Sequence, residues 1–567
     1  MGWVRFSGFS LPGTAAGSQP LRKVSSGSKG PCPPSPAAHL RAISAVRRQH
    51  DDLRQPLHSF PMTIGSIKPA HRQASSDGAS INWQRLAAAC REILPARAVV
   101  AAKQDLLTYD SDGLTLHRWQ PPLVVLPETT AEVVALVKLC HREVVPFVAR
   151  GSGTGLSGGA VSEQPALVIA TSRMRSILDL DLSNRRITVQ PGVINSWVTR
   201  AVTGAGFYYA PDPSSQVVCS IGGNVAENSG GVHCLKYGVT SNHVLELEVV
   251  LPDGTLTHLG SGLAETPELD LRGVFIGSEG TLGIATAITL RLLRTPQSVA
   301  VLLADFTSME RAGEAVRLVT AAGVQPAGME IMDNFTLNAV NDLFGREEYP
   351  KDAQAVLLIE LDGQDREVAA AIEIADALCR QAGARTIRRA TDPADRALLW
   401  KGRKSAFAAV GRITPTYYVQ DGVVPRSALP RVLGAIEELS RRYDLPVANV
   451  FHAGDGNLHP LILYRAQEEG ATDRVQALGA DILRLCLEAG GSITGEHGVG
   501  NDKRCYLDWM FAPEDLDTMQ LVRLAFDPQS LANPGKIFPT PARCGESQRR
   551  LEASPASERV LKEGDVF

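Results

Sequence analysis

The stretch Arg150-Gly-Ser-Gly-Thr-Gly-Leu-Ser-Gly-Gly159 constrains the fold more than any other, because it directly follows an apolar run, Val145-Pro-Phe-Val-Ala149, that reads as a strand. Gly153-x-Gly155-x-x-Gly158 spells the dinucleotide-binding fingerprint, yet that motif requires a helix next and then a parallel strand. Here Pro165 intervenes and the next strand-like run, Leu167-Val-Ile-Ala170, follows at once. No crossover helix fits, so a Rossmann unit is excluded. What remains is a run of small residues whose N–H groups can wrap a pyrophosphate, with Arg150 beside it and the hydroxyls of Ser152, Thr154 and Ser157 as further donors.

Two more such stretches follow, Ser220-Ile-Gly-Gly-Asn-Val-Ala-Glu-Asn-Ser-Gly-Gly231 with Lys236-Tyr-Gly238, and Gly277-Ser-Glu-Gly-Thr-Leu-Gly283. Close backbone approach to one large flat ligand explains three glycine-rich loops better than three unrelated turns. Around them the pattern is β-α-β. Pro121–Pro127 reads as a short buried strand, and Thr130–Cys140 as a helix capped by Thr129 or Thr130 with Glu132 in its first turn. Further strands are expected at Leu167–Ala170, Arg186–Val189, Leu245–Leu251 and Ile284–Leu292. After Pro296 strands at Val299–Asp305 and Ala355–Leu361 each precede a helix, which suggests helices covering one face of an antiparallel sheet. Four segments result: a leader or disordered segment over 1–80, a first domain over 81–297, a second over 298–540 and a polar tail over 541–567.

The leader has no acidic residue before Asp51 and abounds in Arg, Ser, Pro and Gly. That composition suits an organellar transit peptide, an unstructured extension, or an upstream start with Met62 as the initiator. With 44% hydrophobic residues, 21% charged and a net charge of -4, the chain lacks the basic excess of a nucleic-acid binder. No apolar stretch approaches the roughly 18 residues of a membrane span. The nine cysteines include no CxxC pair, which argues against an iron–sulfur cluster, a cysteine zinc site or a disulfide framework, with reduced thiols as the default.

The chemistry is concentrated near the end, in His452-Ala-Gly-Asp-Gly-Asn-Leu-His459 and Gly495-Glu496-His497-Gly498. The first reads as a β-hairpin turning on Asp455-Gly456, with His452 opposite His459 and their Cβ atoms roughly 5 Å apart. Two imidazoles at that spacing can share a metal ion, and Glu496 would complete a 2-His-1-carboxylate set with positions left open. In an extended segment Glu496 and His497 point to opposite sides, so one can ligate while the other faces substrate. Arg403 and Lys404, on a helix after Trp400, could clamp a carboxylate. Tyr418 suits either the pocket or a strand core.

Taken together, the loops resemble those of flavoproteins that bind FAD in the vanillyl-alcohol-oxidase (PCMH-type) manner. The D-2-hydroxy-acid dehydrogenase branch, with glycolate oxidase flavoprotein subunits and D-lactate dehydrogenases, is the most similar. The resemblance runs from about Asp105 to Phe538 and includes Pro211-Asp-Pro213, Leu399-Trp-Lys-Gly-Arg-Lys-Ser-Ala-Phe407 and Asn533-Pro-Gly-Lys-Ile-Phe538. It implies an α+β architecture: a PCMH-type FAD-binding domain, then an α/β substrate-binding cap domain. It implies non-covalent FAD, since the first loop lacks the histidine through which some relatives tether the flavin. Carried over, Arg150, Gly151, Ser152, Gly153, Thr154, Gly155 and Ser157 hold the pyrophosphate. Ser220, Gly223, Asn224, Asn228, Gly231, Tyr237 and Gly238 line the cofactor, Glu279, Gly280 and Ile284 its adenosine side, and Asn533 the isoalloxazine end. His452, His459 and Glu496 would hold one divalent ion (zinc, manganese or iron), and His497 would be the base. Leu461 stands where D-2-hydroxyglutarate dehydrogenases carry Asn, which speaks against a dicarboxylate.

The expected activity is oxidation of a small D-2-hydroxy acid, glycolate or D-lactate. A flavin-dependent ether-lipid transferase and a non-catalytic flavin subunit of an electron-transfer complex are the alternatives. Electrons would leave to an iron–sulfur subunit, a cytochrome or a quinone. The expected location is the cytoplasm, peripheral at the inner membrane through partner subunits, or alternatively the mitochondrion.

Overall fold

Strand pairing in the first half is set by which runs are apolar on both faces. Leu123–Val125, Leu167–Ala170 and Phe147–Arg150 pair in parallel, and Val99–Val100 adds antiparallel at the edge. Nearly every residue of the three parallel strands is buried, as parallel sheets require. The helix Thr130–Glu143 covers this sheet, starting at a complete capping box: Glu132 N–H donates to the Thr129 hydroxyl and the Glu132 carboxylate accepts from Thr129 N–H. These observations come from a computed structural model that describes residues 81–263 and 269–539. The expected leader, Met62 included, and the tail over 541–567 lie outside the described residues. No helix or strand occurs between Arg150 and Leu167, in keeping with the exclusion of a Rossmann crossover.

A five-stranded antiparallel sheet follows in the order Ile177–Asp181, Arg186–Val189, Ile284–Arg291, Val244–Val250, Leu256–Gly260. The Pro252-Asp-Gly254 turn joins its last two strands in this order, with Gly254 at φ 84. The short helix Ile221–Glu227 begins in the second glycine-rich stretch, capped by the Ser220 side chain. Its seven residues place Gly223 and Glu227 beside the first loop.

The second half is built on a nine-stranded sheet whose centre is Ser298–Phe306, Ala355–Gly363, Gly328–Asp333 and Val447–His452, all antiparallel. Helices cover both of its faces, not one. Leu302, Phe306, Leu357 and Ile359 pack with the helices Met309–Ala321 and Asp365–Gln381. Val301, Leu303, Val356 and Leu358 pack on the other side with Asn334–Phe344 and Pro393–Ile413. The cause is legible in Ala355-Val-Leu-Leu-Ile: apolar residues at both parities leave two faces needing cover. The end of the chain returns to the first half, where Ala532 bridges Phe147 and Leu531 joins the core around Leu123. Among the described residues six cysteines are free thiols, but Cys505 is disulfide-bonded, a departure from uniformly reduced thiols.

Candidate functional site

A cavity of about 580 Å³ runs between the glycine-rich loops and the second-half sheet. Arg150, Gly151, Ser152, Gly153, Thr154 and Gly155 form one wall, Ser220, Gly223 and Asn224 another, and Glu279, Gly280 and Ile284 a third. Lys404, Phe407, Tyr417, His459, Glu496 and His497 close the far end. The volume is in the range of cofactor sites. A Cβ added at Gly155 or Gly280 would meet nothing nearer than 3.8 and 3.6 Å, so it would stand in the cavity itself. The walls are therefore a backbone cradle, which fits a pyrophosphate-linked cofactor such as FAD.

Several residues expected on this surface hold it from behind. Arg150 donates to the carbonyls of Ser111 and Ala160, at 2.7 and 3.1 Å, and so staples the first loop. Asn533 donates to Gly159 and Glu279 carbonyls, bolting the first loop to the third, and does not line the cavity. The Glu279 carboxylate turns from the cavity to accept the N–H groups of Val499 and Gly500, both at 2.7 Å. Ser157, Asn228, Gly231, Tyr237 and Gly238 are likewise off the cavity wall. Ser157 is buried under the loop; Asn228 ends a helix in the left-handed region and accepts from Ser241 N–H. The Tyr237 hydroxyl donates to Asp362, while Gly231 and Gly238 are pressed against Asp212 and Asn242.

The histidine hairpin forms with a different register. His452 pairs with Asn457, not His459, because the turn centres on Gly454-Asp455. The slip is two residues, and two residues preserve the face, so His459 remains a diagonal neighbour on the same side. The rings meet edge to face with centroids 5.1 Å apart. Nε2 of His452 and Nε2 of His459 each lie 3.3 Å from Oε1 of Glu496. Glu496 and His497 do not alternate either: residues 495–497 form a bend, which brings His497 Nε2 to 3.7 Å from the same oxygen and stacks its ring on His459.

The donor chemistry of this cluster suits a cation. His452 Nδ1 is 2.7 Å from Glu330, a contact that orients the ring so that Nε2 faces Glu496. His459 Nε2 is a buried atom with no hydrogen-bond partner. Donor atoms of His452, His459 and Glu496 all lie within 4.8 Å of one another. Burial opposes charge on Glu496, but His452 and His459 beside it bring its pKa down to about 2. Burial likewise opposes charge on His452, and Glu330 and Glu496 overcome it, raising that pKa well above the usual value. A second triad, Asp421, His459 and His497, is also close enough, but Asp421 is otherwise engaged. It accepts the N–H groups of Gly495, Glu496 and His497, at 3.0, 3.2 and 2.8 Å, and the Thr494 hydroxyl at 2.6 Å.

Arg403 is not brought to the cavity. It is fully buried, 2.6 Å from Glu330, so the expectation of a carboxylate clamp passes to Lys404, which lines the cavity wall. Tyr418 is core, with its hydroxyl on Asp502; its neighbour Tyr417 lines the cavity. The sequence reading missed Glu330, Asp421 and Glu227. Glu330 left a signal, a lone acid inside the apolar run Met329–Met332, whereas Asp421-Gly422 reads as an ordinary turn.

A glycine-loop cradle opening onto buried titratable groups of a second domain defines a flavin-dependent oxidoreductase of the PCMH type. Residues 121–260 match the family described as "FAD binding domain", and residues 295–537 match "FAD linked oxidases, C-terminal domain". The chain is 49% identical over 458 residues to "Glycolate oxidase subunit GlcD" of Escherichia coli (strain K12), covering 81% of this chain and 92% of that protein. It is 33% identical to "D-lactate dehydrogenase" of Anaerostipes hadrus, covering 79% and 96%. Among solved structures, p-cresol methylhydroxylase matches with a TM-score of 0.68 at 16% identity, covering 80% of this chain and 96% of the other, a likeness of fold. The chain belongs to the FAD-linked oxidase family and is an oxidoreductase acting on CH–OH donors.

Proposed function

We propose that this protein oxidises a small D-2-hydroxy acid, glycolate or D-lactate, to the 2-oxo acid. The observation that carries the proposal is the convergence of His459, Glu496 and His497 on the cavity that the glycine-rich loops line, with His452 against Glu496. The relatives named as a glycolate oxidase subunit and a D-lactate dehydrogenase support the substrate class. When bound, FAD supplies the acceptor for the C2 hydride, and a zinc, manganese or iron ion held by His452, His459 and Glu496 supplies Lewis acidity toward the substrate oxygens.

His497 takes the hydroxyl proton at a ring nitrogen. Burial lowers its pKa to about 4, so the ring is neutral near pH 7 and ready to accept. So weak a base removes the proton only of a strongly acidified hydroxyl, which is why it must stand against the ligand set. Lys404 faces the substrate carboxylate, and Phe407 and Tyr417, edge to face at 6.3 Å, exclude water around C2. Electrons then leave to an iron–sulfur subunit, a cytochrome or a quinone. The subunit name of the relatives supports a protein partner. No helix among the described residues is long and apolar enough to cross a membrane. Attachment at the inner membrane would therefore come through partners, with the mitochondrion as the alternative compartment.

The test is an anaerobic screen of D- and L-2-hydroxy acids against the purified holoprotein. Bleaching of the flavin by glycolate or D-lactate, abolished in His497→Ala, is the expected result. Persistent yellow with every acid would overturn the proposal and favour the transferase or non-catalytic alternative.

A further inference from the structure

The carboxyl group of Glu227 lies against the first glycine-rich loop and against the turn that carries His497, and nothing in the mechanism above uses it. A Cβ built on Gly159 would stand 2.7 Å from Glu227 Oε1. One built on Gly498 would overlap Glu227 Oε2 and lie 2.8 Å from Glu279 Oε1. The two carboxyl groups therefore flank one side of Gly498, whose φ of 82 suits glycine and leaves no room for a side chain between them. Glu227 also lines the cavity. Its Oε2 is buried with no hydrogen-bond partner.

Two carboxyl groups so placed do not ionise together. The geometry decides which one keeps a proton. Glu279 accepts two backbone N–H groups at 2.7 Å, contacts that hold the charged form. Glu227 has no such donors at Oε2; Lys503, 3.3 Å from Asp421, and Lys536, which donates to the Val161 carbonyl, favour its charged form but less than burial opposes it. Burial, Glu279 and Asp112 together raise the Glu227 pKa well above the usual carboxylate range.

We propose that Glu227 is a neutral carboxylic acid that donates a hydrogen bond to an acceptor atom of the FAD ring system, making it a cofactor-contacting residue. It adjoins Gly498, the residue directly after the proposed base, and a ring system that takes the hydride must come close to the substrate beside that base, which brings it toward Glu227. A donor there stabilises the electron-rich reduced flavin, whereas a carboxylate would repel it.

The test compares Glu227→Gln, which keeps a neutral donor, with Glu227→Leu, which has none, in the holoprotein. Flavin reduction potential, visible spectrum and FAD affinity are read by redox titration, absorbance and fluorescence. Glu227→Gln should match the wild type. Glu227→Leu should reduce less readily, with the reduction equilibrium falling three- to tenfold, and should bind FAD more weakly. Infrared difference spectra of wild type should show a carboxylic-acid C=O band that disappears in Glu227→Gln. Should Glu227→Leu fold poorly, the Gln variant and this band still decide. The proposal is overturned if the band is absent, if Gln shifts the potential as far as Leu, or if neither shifts it. The inference rests on FAD occupying the cavity, and failure of that premise would show separately as a wild type purified without flavin.

Discussion

Replacing Asp421 with Asn tests whether the site is assembled by a carboxylate behind it. Asp421 is wholly buried and gathers three consecutive backbone N–H groups, the Thr494 hydroxyl and Lys503, at 2.6–3.3 Å. The imidazoles and Lys503 hold its pKa well below the usual range despite burial, so the native group is an anion. Asn keeps one acceptor oxygen but aims an NH₂ at donors. Hydrogen bonds to a charged group contribute about 1.5–3 kcal/mol each. Losing two of them should cost about 3–6 kcal/mol, and leaving buried Lys503 unpaired adds to that. Part of that cost falls on the bend at Gly495–His497, so Glu496 and His497 should lose their positions before the protein unfolds. The expected result is a lower Tm, metal content reduced by tenfold or more, and turnover lost, while FAD is retained because Asp421 is not on the cavity wall. Differential scanning calorimetry, elemental analysis and flavin absorbance make the three readings. A D421N protein with wild-type Tm, metal content and turnover would refute the reasoning.

Lys404→Met should raise KM for the 2-hydroxy acid at least tenfold with FAD content unchanged, as steady-state kinetics would show, and loss of its 3.8 Å ion pair with Asp212 should lower Tm slightly. Arg403→Met leaves the buried Glu330 carboxylate with His452 as its remaining partner and should destabilise the protein by about 3–5 kcal/mol in denaturant titration, a stability effect and not a KM effect. Gly498→Ala demands a left-handed backbone from alanine and a Cβ between Glu227 and Glu279, so it should lower stability by at least about 1–3 kcal/mol and weaken flavin retention. Asp112, raised by burial to about 6, binds its proton more tightly folded than unfolded. That stabilisation is therefore present below pH 4 and lost as pH rises through 6. Asp112→Asn should flatten the stability profile over that interval and raise stability near pH 7 by about 1–3 kcal/mol, measured as Tm against pH.

Local chemistry in this chain was legible where one residue type forces one geometry. The capping box at Thr129–Glu132 and the missing crossover helix between Gly159 and Leu167 are of that kind. The histidine pair survived a wrong register because side-chain direction repeats every two residues, and the error happened to be two. What could not be read is whatever depends on partners distant in sequence. Ala355–Leu361 was apolar on both parities, but its second covering layer comes from helices whose faces show only in the packed sheet. Arg403 and Lys404 are adjacent and alike in charge; the placement of Glu330 on a neighbouring strand turns the first inward and leaves the second for the cavity. The loop residues Glu279 and Asn533 carry the flavoprotein pattern, yet their side chains tie loops together behind the cofactor wall. Asp421 and Glu227 gave no sequence signal because their roles arise only when the chain ends meet.

The central claim is a cation held by His452, His459 and Glu496 beside the flavin, and elemental analysis of purified holoprotein tests it most directly. Wild type should carry about one divalent metal ion per FAD. His452→Ala, His459→Ala and Glu496→Gln should each lose the metal and keep the flavin. Equal metal content in the wild type and all three variants, or none in any of them, would contradict the account.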